Sequence, residues 1–250
     1  MAVICITGMH RSGTSLVASW LEACGLSIHN GNVMGPNVGN IRGHFEDLDF
    51  VDLQAAAIKS QYPASDGWKM FGEASPLLTS TDLLLAQRIL TNRNQKYKLW
   101  GWKDPRSIVF LEQWREIIPS LKTVLIWRPC FDVVYSLIQR AQRSQKKLLK
   151  ISLGASVKLW KYYNRLVCDC KEKYPEDTLL FSLEFILQHD KRVWSLLNER
   201  LHIGLDYSPL TSSYDRKILH RGLPPFLKPA ASFSFRSREL EDRLRTLSDT

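Results

Sequence analysis

The sequence Gly8-Met9-His10-Arg11-Ser12-Gly13-Thr14-Ser15 has the G-x4-G glycine spacing of a phosphate-binding loop. It follows a β-branched apolar run, Val3 to Thr7, which predicts a strand. It leads into Thr14 to Cys24, where apolar residues recur at helical spacing until Gly25. In such a turn, backbone N–H groups converge on an anion, and the dipole of the following helix adds to their attraction. The stretch therefore predicts an anion-binding loop between the first strand and the first helix.

The loop departs from the pattern of nucleotide triphosphatases, because Thr14 stands where those loops have lysine. Its cation is instead Arg11, which precedes Ser12 and Gly13 and would point a guanidinium into the loop. The hydroxyls of Ser12, Thr14 and Ser15 add further hydrogen-bond donors. These side chains can hold a phosphosulfate group.

A second apolar run, Leu121 to Trp127, predicts another core strand, and this strand ends at Arg128. P-loop enzymes that cleave triphosphates place an acidic residue at such a strand end to hold magnesium. Here a cation stands at that strand end instead. If the loop holds a phosphosulfate, the group transferred would be a sulfuryl group, which carries less charge than a phosphoryl group, so hydrogen-bond donors and cations can stabilise its transfer. We therefore expect the site to need no metal.

Strands and helices alternate along the chain, which favours an α/β fold with a parallel sheet. The predicted strands are Val3 to Thr7, Lys98 to Trp102, Leu121 to Trp127 and Thr178 to Ser182. The predicted helices are Thr14 to Cys24, Asp47 to Lys59, Pro76 to Leu90, Asp132 to Arg143, Ser152 to Lys173, Asp190 to Arg200 and Ser237 to Leu247. We expect a three-layer P-loop-like fold, with a central parallel sheet flanked by helices, in a single domain over residues 1–250. Trp160, Tyr162 and Tyr163 lie at helical spacing and are expected in the core.

The chain is basic, because 34 Lys and Arg against 25 Asp and Glu give its 250 residues a formal net charge of +9. This charge favours partners such as a nucleotide, a sulfated glycan, nucleic acid or an anionic membrane. The basic run Arg140 to Lys150 lacks interleaved aromatic residues, so we interpret it as a solvated helix face or loop and expect no nucleic-acid partner. No stretch approaches the roughly 18 apolar residues of a membrane helix. Five cysteines without framework spacing predict buried thiols in a reducing compartment, the cytoplasm.

Three motifs, in this order, resemble the sulfotransferase family that uses 3′-phosphoadenosine 5′-phosphosulfate (PAPS), in particular its single-domain bacterial type. The motifs are Gly8 to Ser15, Trp102-Lys103-Asp104-Pro105-Arg106, and Arg128-Pro129 with Ser136. The resemblance implies PAPS as co-substrate, adenosine 3′,5′-bisphosphate as product, and a hydroxyl on a saccharide, lipid or small metabolite as acceptor.

The resemblance also implies which residues hold the donor. The 5′-phosphosulfate would be bound by Arg11, Ser12, Gly13, Thr14 and Ser15. Arg128 and Ser136 would hold the 3′-phosphate, since an arginine at a strand end and a hydroxyl in the next helix can share one phosphate.

Sulfuryl transfer needs a base for the acceptor's proton and cations for the charge on the leaving oxygen. Glu46 is the leading base, because it follows the long glycine-rich loop at residues 29–44 and an acidic residue in this region faces the acceptor in similar enzymes. Alternatively, Glu46 caps the helix that begins near Asp47. His10 and His44 are competing bases, since histidine has a suitable pKa near neutral pH.

Cations for the transferred group are expected from the first two motifs. Arg11 would polarise the group from within the loop. Lys103 and Arg106 follow a predicted strand, at the edge where parallel sheets bind ligands, and Lys103 is the better functional candidate. For Asp104 and Arg106 the alternative is a buried ion pair that shapes the loop.

Two other functions stay open at this point. A small P-loop kinase would share the fold, but it needs a lysine after Gly13 and a magnesium-holding acid, and neither is evident. A non-catalytic relative that binds nucleotide is the other. The acceptor pocket is expected from residues 29–44 and from residues after 204, where the sequence pattern is weakest.

Overall fold

The structure is a computed structural model that describes residues 2–35, 45–72, 74–143, 150–213 and 237–250. Its strands are β1 (Ala2–Gly8), β2 (Leu99–Lys103), β3 (Lys122–Trp127) and β4 (Thr178–Ser182). They pair in parallel in the order β2-β1-β3-β4. The predicted parallel sheet is therefore confirmed, and each strand lies within one residue of both of its expected ends.

Helices connect and cover the strands. They are α1 (Thr14–Ala23), α2 (Leu48–Gln61), α3 (Ser80–Lys96), α4 (Leu111–Ile117), α5 (Cys130–Arg143), α6 (Leu153–Lys173), α7 (Leu183–Gln188), α8 (Asp190–Leu201), α9 (Leu210–Ser213) and α10 (Arg238–Leu247). Short 3₁₀ turns lie at Pro63–Ser65 and Pro105–Phe110. The sequence does not predict α4, α7 and α9, because each has seven residues or fewer and is too short for two turns of apolar periodicity.

The predicted start of the third helix at Pro76 is wrong, because α3 begins at Ser80. Thr79 is its N-cap, and its hydroxyl oxygen accepts a hydrogen bond from the Asp82 N–H at 3.2 Å. The Asp82 carboxylate accepts one from the Thr79 N–H at 2.8 Å. This reciprocal pair is a capping box, and it fixes where the helix begins.

The sheet carries an apolar core on each face, because alternate strand residues point to opposite sides. In β1, Val3 and Cys5 belong to one core, and Ile4 and Ile6 belong to the other. Helices α2 to α6 and α10 close the first core, and α1, α7, α8 and α9 close the second. The expected three-layer arrangement is therefore confirmed. The aromatic residues of α6 lie in the first core, as predicted: Trp160, Tyr162 and Tyr163.

Parallel strands end at the same edge of the sheet, so the loops after β1, β2 and β3 lie side by side. Gly8 ends β1 with a φ of 143°. A Cβ at this position would stand 2.1 Å from the carbonyl oxygen of Ile126 in β3. Only glycine lets the loop leave the sheet so close to its neighbour.

All five cysteines are buried and free, which confirms the predicted buried thiols. Burial raises the pKa of Cys130 to about 12, so this thiol stays protonated. In the described ranges, none of the helices has the length and apolar character needed to cross a bilayer.

Asp249, in the segment after α10, bonds to the backbone of β4 at the edge of the sheet. The Asp249 N–H donates to the Leu180 carbonyl at 2.8 Å, and the Asp249 carboxylate accepts from the Leu180 N–H at 2.8 Å. The same carboxylate binds the Lys171 ammonium at 2.8 Å and the Arg200 guanidinium. The segment therefore covers backbone groups that an edge strand would otherwise leave open.

Helix α10 holds the amino end of α5. Glu241 accepts a hydrogen bond from the Cys130 N–H at 3.1 Å. A carboxylate is favoured there, because the first N–H groups of a helix lack intrahelical partners. The contact spans 111 residues of sequence, and it orients the helix that carries Ser136.

Asp249→Ala should lower the free energy of unfolding by about 3 kcal/mol, because it leaves the buried Lys171 ammonium without its carboxylate. Urea unfolding followed by circular dichroism measures this loss. Glu199→Ala is the matched control, since its pair with Arg192 is exposed and should contribute less than about 1 kcal/mol. Equal losses in the two variants would contradict a structural role for Asp249.

Candidate functional site

The loop between β1 and α1 is shaped to receive an anion. Arg11 has a φ of 71°, a left-handed conformation that is rare for a residue with a side chain, and Gly13 follows with a φ of 97°. Gly13 is the N-cap of α1 and supplies no side-chain cap. The N–H groups of Thr14 and Ser15, the first two of α1, have no acceptor within the helix, whereas that of Leu16 donates to the Gly13 carbonyl at 3.0 Å. The Ser12 hydroxyl is buried, and none of the described residues offers it a hydrogen-bond partner.

Ser136 reaches this loop from α5. The Arg11 Nε donates to the Ser136 hydroxyl at 3.0 Å, across 125 residues of sequence. Arg128, at the end of β3, lies with its Nε 3.8 Å from the Asp132 carboxylate. The residues expected to hold a 3′-phosphate therefore lie beside the loop, with Ser136 on Arg11 and Arg128 beside Asp132. Their role in binding that phosphate stays a prediction.

Arg11 lies among other positive charges. Burial, and then the nearby guanidiniums of Arg140 and Arg128, lower the pKa of Arg11 to about 10. Both effects disfavour its charged form, so an anion bound next to it would remove an unfavourable interaction. The loop therefore has the charge and the open donors that a phosphosulfate needs.

Lys103 joins the loop to the expected base. Its ammonium donates to the Ser15 hydroxyl at 3.1 Å and to the Glu46 carboxylate at 2.6 Å. The Lys103 side chain is 2% exposed and that of Glu46 is 7% exposed, so the ion pair is shielded from water. Arg106 stands 3.8 Å from the second oxygen of Glu46. Two of the expected catalytic residues, Glu46 and Lys103, thus meet at the loop.

The alternative reading of Glu46 as a helix cap is wrong. Asp47 is the N-cap of α2, and its carboxylate accepts a hydrogen bond from the Asp49 N–H at 3.1 Å. Asp47 also binds Arg93 at 2.5 Å, which fixes its carboxylate at the helix end. The neighbouring Glu46 points instead to Lys103.

The alternative reading of Asp104 and Arg106 is confirmed. Their side chains form an ion pair at 2.8 Å, and the Asp104 carboxylate also accepts from the Arg106 N–H at 2.9 Å. Gln54 of α2 donates to the same carboxylate at 2.9 Å. The carbonyl oxygen of Asp104 accepts from the Thr7 hydroxyl at 2.9 Å. These bonds tie the loop after β2 to β1 and α2, and so they position Lys103.

The side chain of His10, a residue of the loop, lies in a cage formed by two aromatic side chains. Its ring meets the rings of Trp68 and Tyr163 edge-on, with centroids 5.1 and 5.5 Å away. Its Nε2 is buried, and no hydrogen-bond partner for it occurs in the described part of the chain. Burial holds the pKa of His10 well below 6.5, and four cations lower it further: Arg106, Arg140, Lys103 and Arg11. His10 is therefore a neutral imidazole at pH 7. The competing base His44 lies outside the described residues.

Arg140 is the site residue that the sequence reading missed. We expected a solvated helix face from Arg140 onward, but its Nε is buried, and the described residues provide no hydrogen-bond partner for it. Its positive charge contributes to the lowered pKa of both Arg11 and His10. The available signal was its spacing, since Arg140 follows Ser136 by four residues and so shares its helix face.

A pH effect on stability follows from the neutral state of His10. Below pH 6.5 the unfolded chain binds a proton at this imidazole and the folded chain does not. The contribution of the neutral His10 to the free energy of unfolding is therefore fully present above pH 6.5 and is lost as the pH falls. Between pH 7.5 and 5.5, the wild type should lose about 1 kcal/mol more unfolding free energy than His10→Gln. Urea unfolding at both pH values measures the difference. Equal losses would show that His10 is protonated in the folded state.

Solved structures match the chain over nearly its whole length, whereas no family model and no curated protein matches it. A sulfotransferase from Alicyclobacillus acidocaldarius is similar with a TM-score of 0.58 and 12% identity, over 100% of this chain and 97% of that one. The sulfotransferase domain of the Synechococcus PCC 7002 olefin synthase has a TM-score of 0.53 and 16% identity, over 100% and 94%. A sulfotransferase from Mycobacterium tuberculosis H37Rv has a TM-score of 0.55 and 12% identity, over 97% and 76%. The predicted P-loop-like fold and the resemblance of the three motifs to bacterial sulfotransferases are therefore confirmed, and the chain has the fold of bacterial sulfotransferase domains.

Proposed function

We propose that the protein is a sulfotransferase that transfers a sulfuryl group from PAPS to an acceptor hydroxyl. The observation that carries the proposal is the position of Lys103, whose ammonium donates both to Ser15 of the anion-binding loop and to Glu46. One cation thus joins the loop that would hold the donor to the carboxylate that would take the acceptor's proton. The fold shared with bacterial sulfotransferase domains supports the same function.

The loop and the first turn of α1 would bind the 5′-phosphosulfate. Their open N–H groups and the α1 dipole favour an anion. The buried Ser12 hydroxyl, unpartnered within the described ranges, would gain a hydrogen bond. Arg11 would place its guanidinium beside the transferred group, held by Ser136. Thr14 and Ser15 would add hydroxyls from the start of the helix.

Arg128 and Ser136 would hold the 3′-phosphate. Arg128 follows β3, and Ser136 lies one turn after Asp132 on α5. At the end of β3, the Arg128 guanidinium could form charge-assisted hydrogen bonds to a phosphate. The 3′-phosphate distinguishes PAPS from ATP, and this pair would therefore select the donor.

PAPS supplies a sulfuryl group attached to a phosphate oxygen. The acceptor oxygen would bond to sulfur, the bond from sulfur to that bridging oxygen would break, and adenosine 3′,5′-bisphosphate would leave. Glu46 would accept the hydroxyl proton, and Lys103 and Arg11 would stabilise the charge on the leaving oxygen. These cations would supply the positive charge that magnesium supplies in phosphoryl transfer, so the proposal includes no metal.

The acceptor would be a hydroxyl compound of the saccharide, lipid or small-metabolite classes rather than a nucleic acid. The five free thiols suit a reducing compartment, and we place the activity in the cytoplasm.

Arg128→Ala should weaken the binding of adenosine 3′,5′-bisphosphate by about tenfold or more, because it removes a charged partner of the 3′-phosphate. It should leave the binding of adenosine 5′-phosphate unchanged, since that nucleotide lacks the 3′-phosphate. Isothermal titration calorimetry measures both affinities. Arg165→Ala, which removes an exposed arginine of α6, is the matched control.

The same titrations separate the competing functions. Tighter binding of ATP with magnesium than of adenosine 3′,5′-bisphosphate would favour a kinase and overturn the proposal. Binding of adenosine 3′,5′-bisphosphate without any sulfuryl transfer would favour a non-catalytic relative.

Glu46→Gln should lower the rate of sulfuryl transfer by about a hundredfold or more and leave the affinity for adenosine 3′,5′-bisphosphate unchanged, because a positioned base contributes on this scale. Radiolabelled PAPS with a mixture of hydroxyl compounds measures transfer. His10→Gln and His44→Gln are the comparison variants. A larger loss in either histidine variant than in Glu46→Gln would assign the base to that histidine.

A further inference from the structure

A polar stripe runs along one face of α5. Asp132, Ser136 and Arg140 are spaced four residues apart, so their side chains share a face of the helix. The first two already contact the site, because Asp132 lies beside Arg128 and Ser136 accepts from Arg11. Arg140 continues the stripe by one turn, and it has no role in the donor site described above.

Arg140 lies one helical turn beyond Ser136, on the side of α5 away from Arg128. Helix α5 begins at Cys130, two residues after Arg128. At a rise of about 1.5 Å per residue, the Cα of Arg140 lies about 15 Å along the helix from this start. The charge of Glu46 favours the charged form of Arg140 and the charge of Arg106 opposes it, so Arg140 lies within electrostatic range of both groups. An anion bound by Arg140 would therefore interact with the same part of the site as the proposed base, Glu46.

The Arg140 guanidinium lacks a full set of partners. Its Nε is closed off from water, and no acceptor for it exists within the described ranges. Burial is the main cause of the lowered pKa of Arg140, so the structure disfavours its charge in the absence of a ligand. A buried donor without an acceptor is costly, and a negatively charged ligand group would supply the missing acceptor.

Positive charge at the site exceeds what the carboxylates there balance. The cations are Arg11, Lys103, Arg106, Arg128 and Arg140, and the carboxylates are Glu46, Asp104 and Asp132. The donor would occupy Arg11 at its phosphosulfate end and Arg128 at its 3′-phosphate end. Lys103 and Arg106 already bind carboxylates. Arg140 is thus the cation that neither the donor nor a carboxylate hydrogen bond accounts for in the described part of the site.

We infer that the acceptor carries an anionic group, such as a carboxylate, close to the hydroxyl that receives the sulfuryl group, and that Arg140 binds this anionic group. The inference rests on the proposed function and specifies its substrate class. Arg140 would determine specificity, because a neutral acceptor of the same shape would leave its guanidinium unpartnered.

The test uses two glycosides that differ mainly at one group. Para-nitrophenyl β-D-glucuronide has a carboxylate where para-nitrophenyl β-D-glucoside has a hydroxymethyl group. Each is titrated into the protein saturated with adenosine 3′,5′-bisphosphate. The wild type should bind the glucuronide about tenfold more tightly than the glucoside, which is the effect of one charge-assisted hydrogen bond.

Arg140→Met should bind the two glycosides with affinities that agree within about twofold, because the substitution removes the charge and keeps much of the side-chain volume. Arg140→Lys should retain part of the preference, and it guards against a folding defect in the first variant. Arg165→Met, on the exposed face of α6, should keep the full preference.

Three results would overturn the inference. They are a wild type without preference for the glucuronide, a preference that persists in Arg140→Met, and a loss in Arg140→Met of affinity for PAPS instead of for the glucuronide. The last result would assign Arg140 to the donor. Failure of the proposed function is distinguishable, because ATP with magnesium would then bind more tightly than adenosine 3′,5′-bisphosphate, or PAPS would bind without any sulfuryl transfer.

Discussion

Crowding of positive charge at one edge of the sheet is the constraint on which the site depends. Buried like charges repel one another strongly, because the surrounding medium screens them less than water does. The structure keeps them together by placing carboxylates between them, with Glu46 on Lys103 and Asp104 on Arg106. These ion pairs hold the groups in position, but they do not neutralise the edge. The remaining positive charge favours an anionic ligand at this edge.

The fold supplies the framework that makes this crowding possible. Parallel strands bring the residues after β1, β2 and β3 to one edge, although they are far apart in the sequence. The Asp104 network fixes the loop after β2, and Glu241 of α10 fixes the start of α5. The cations therefore come from several elements, with Arg11 after β1, Lys103 and Arg106 at and after the end of β2, and Arg128 after β3. Rigid support of this kind spares a ligand the entropy cost of ordering the site.

Local pattern was enough to predict the strands, the layer order and the loop. Strands β1 and β3 are continuous apolar runs that end in glycine or arginine, and the glycine spacing of the loop lies directly after β1. The start of α3 was misplaced, because the capping residues Thr79 and Asp82 determine it and the apolar periodicity does not. The first two motifs also named Arg11 and Lys103, and the position after the long glycine-rich loop named Glu46. In the structure, Lys103 contacts both Glu46 and Ser15 of the loop that carries Arg11.

Contacts between distant residues were beyond the sequence pattern. The cage around His10 combines Trp68 and Tyr163, which no spacing relates to the loop. The bond from Arg11 to Ser136 depends on how α5 packs, and so does the burial of Arg140. A basic run reads as solvated when it is seen as composition alone. Its first arginine turns inward because it shares a helix face with a serine that touches the loop.

The attachment of residues 237–250 has a consequence for how the chain matures during synthesis. The ribosome releases β4 and α5 long before it makes Glu241 and Asp249, so both elements emerge without their late partners. Until then, the first turn of α5 and the open side of β4 present unsatisfied backbone groups. The nascent chain therefore passes through a stage with most of its core assembled, an incomplete sheet edge and a loosely oriented Ser136. The geometry around Ser136 should therefore be completed only after residues 237–250 have been synthesised.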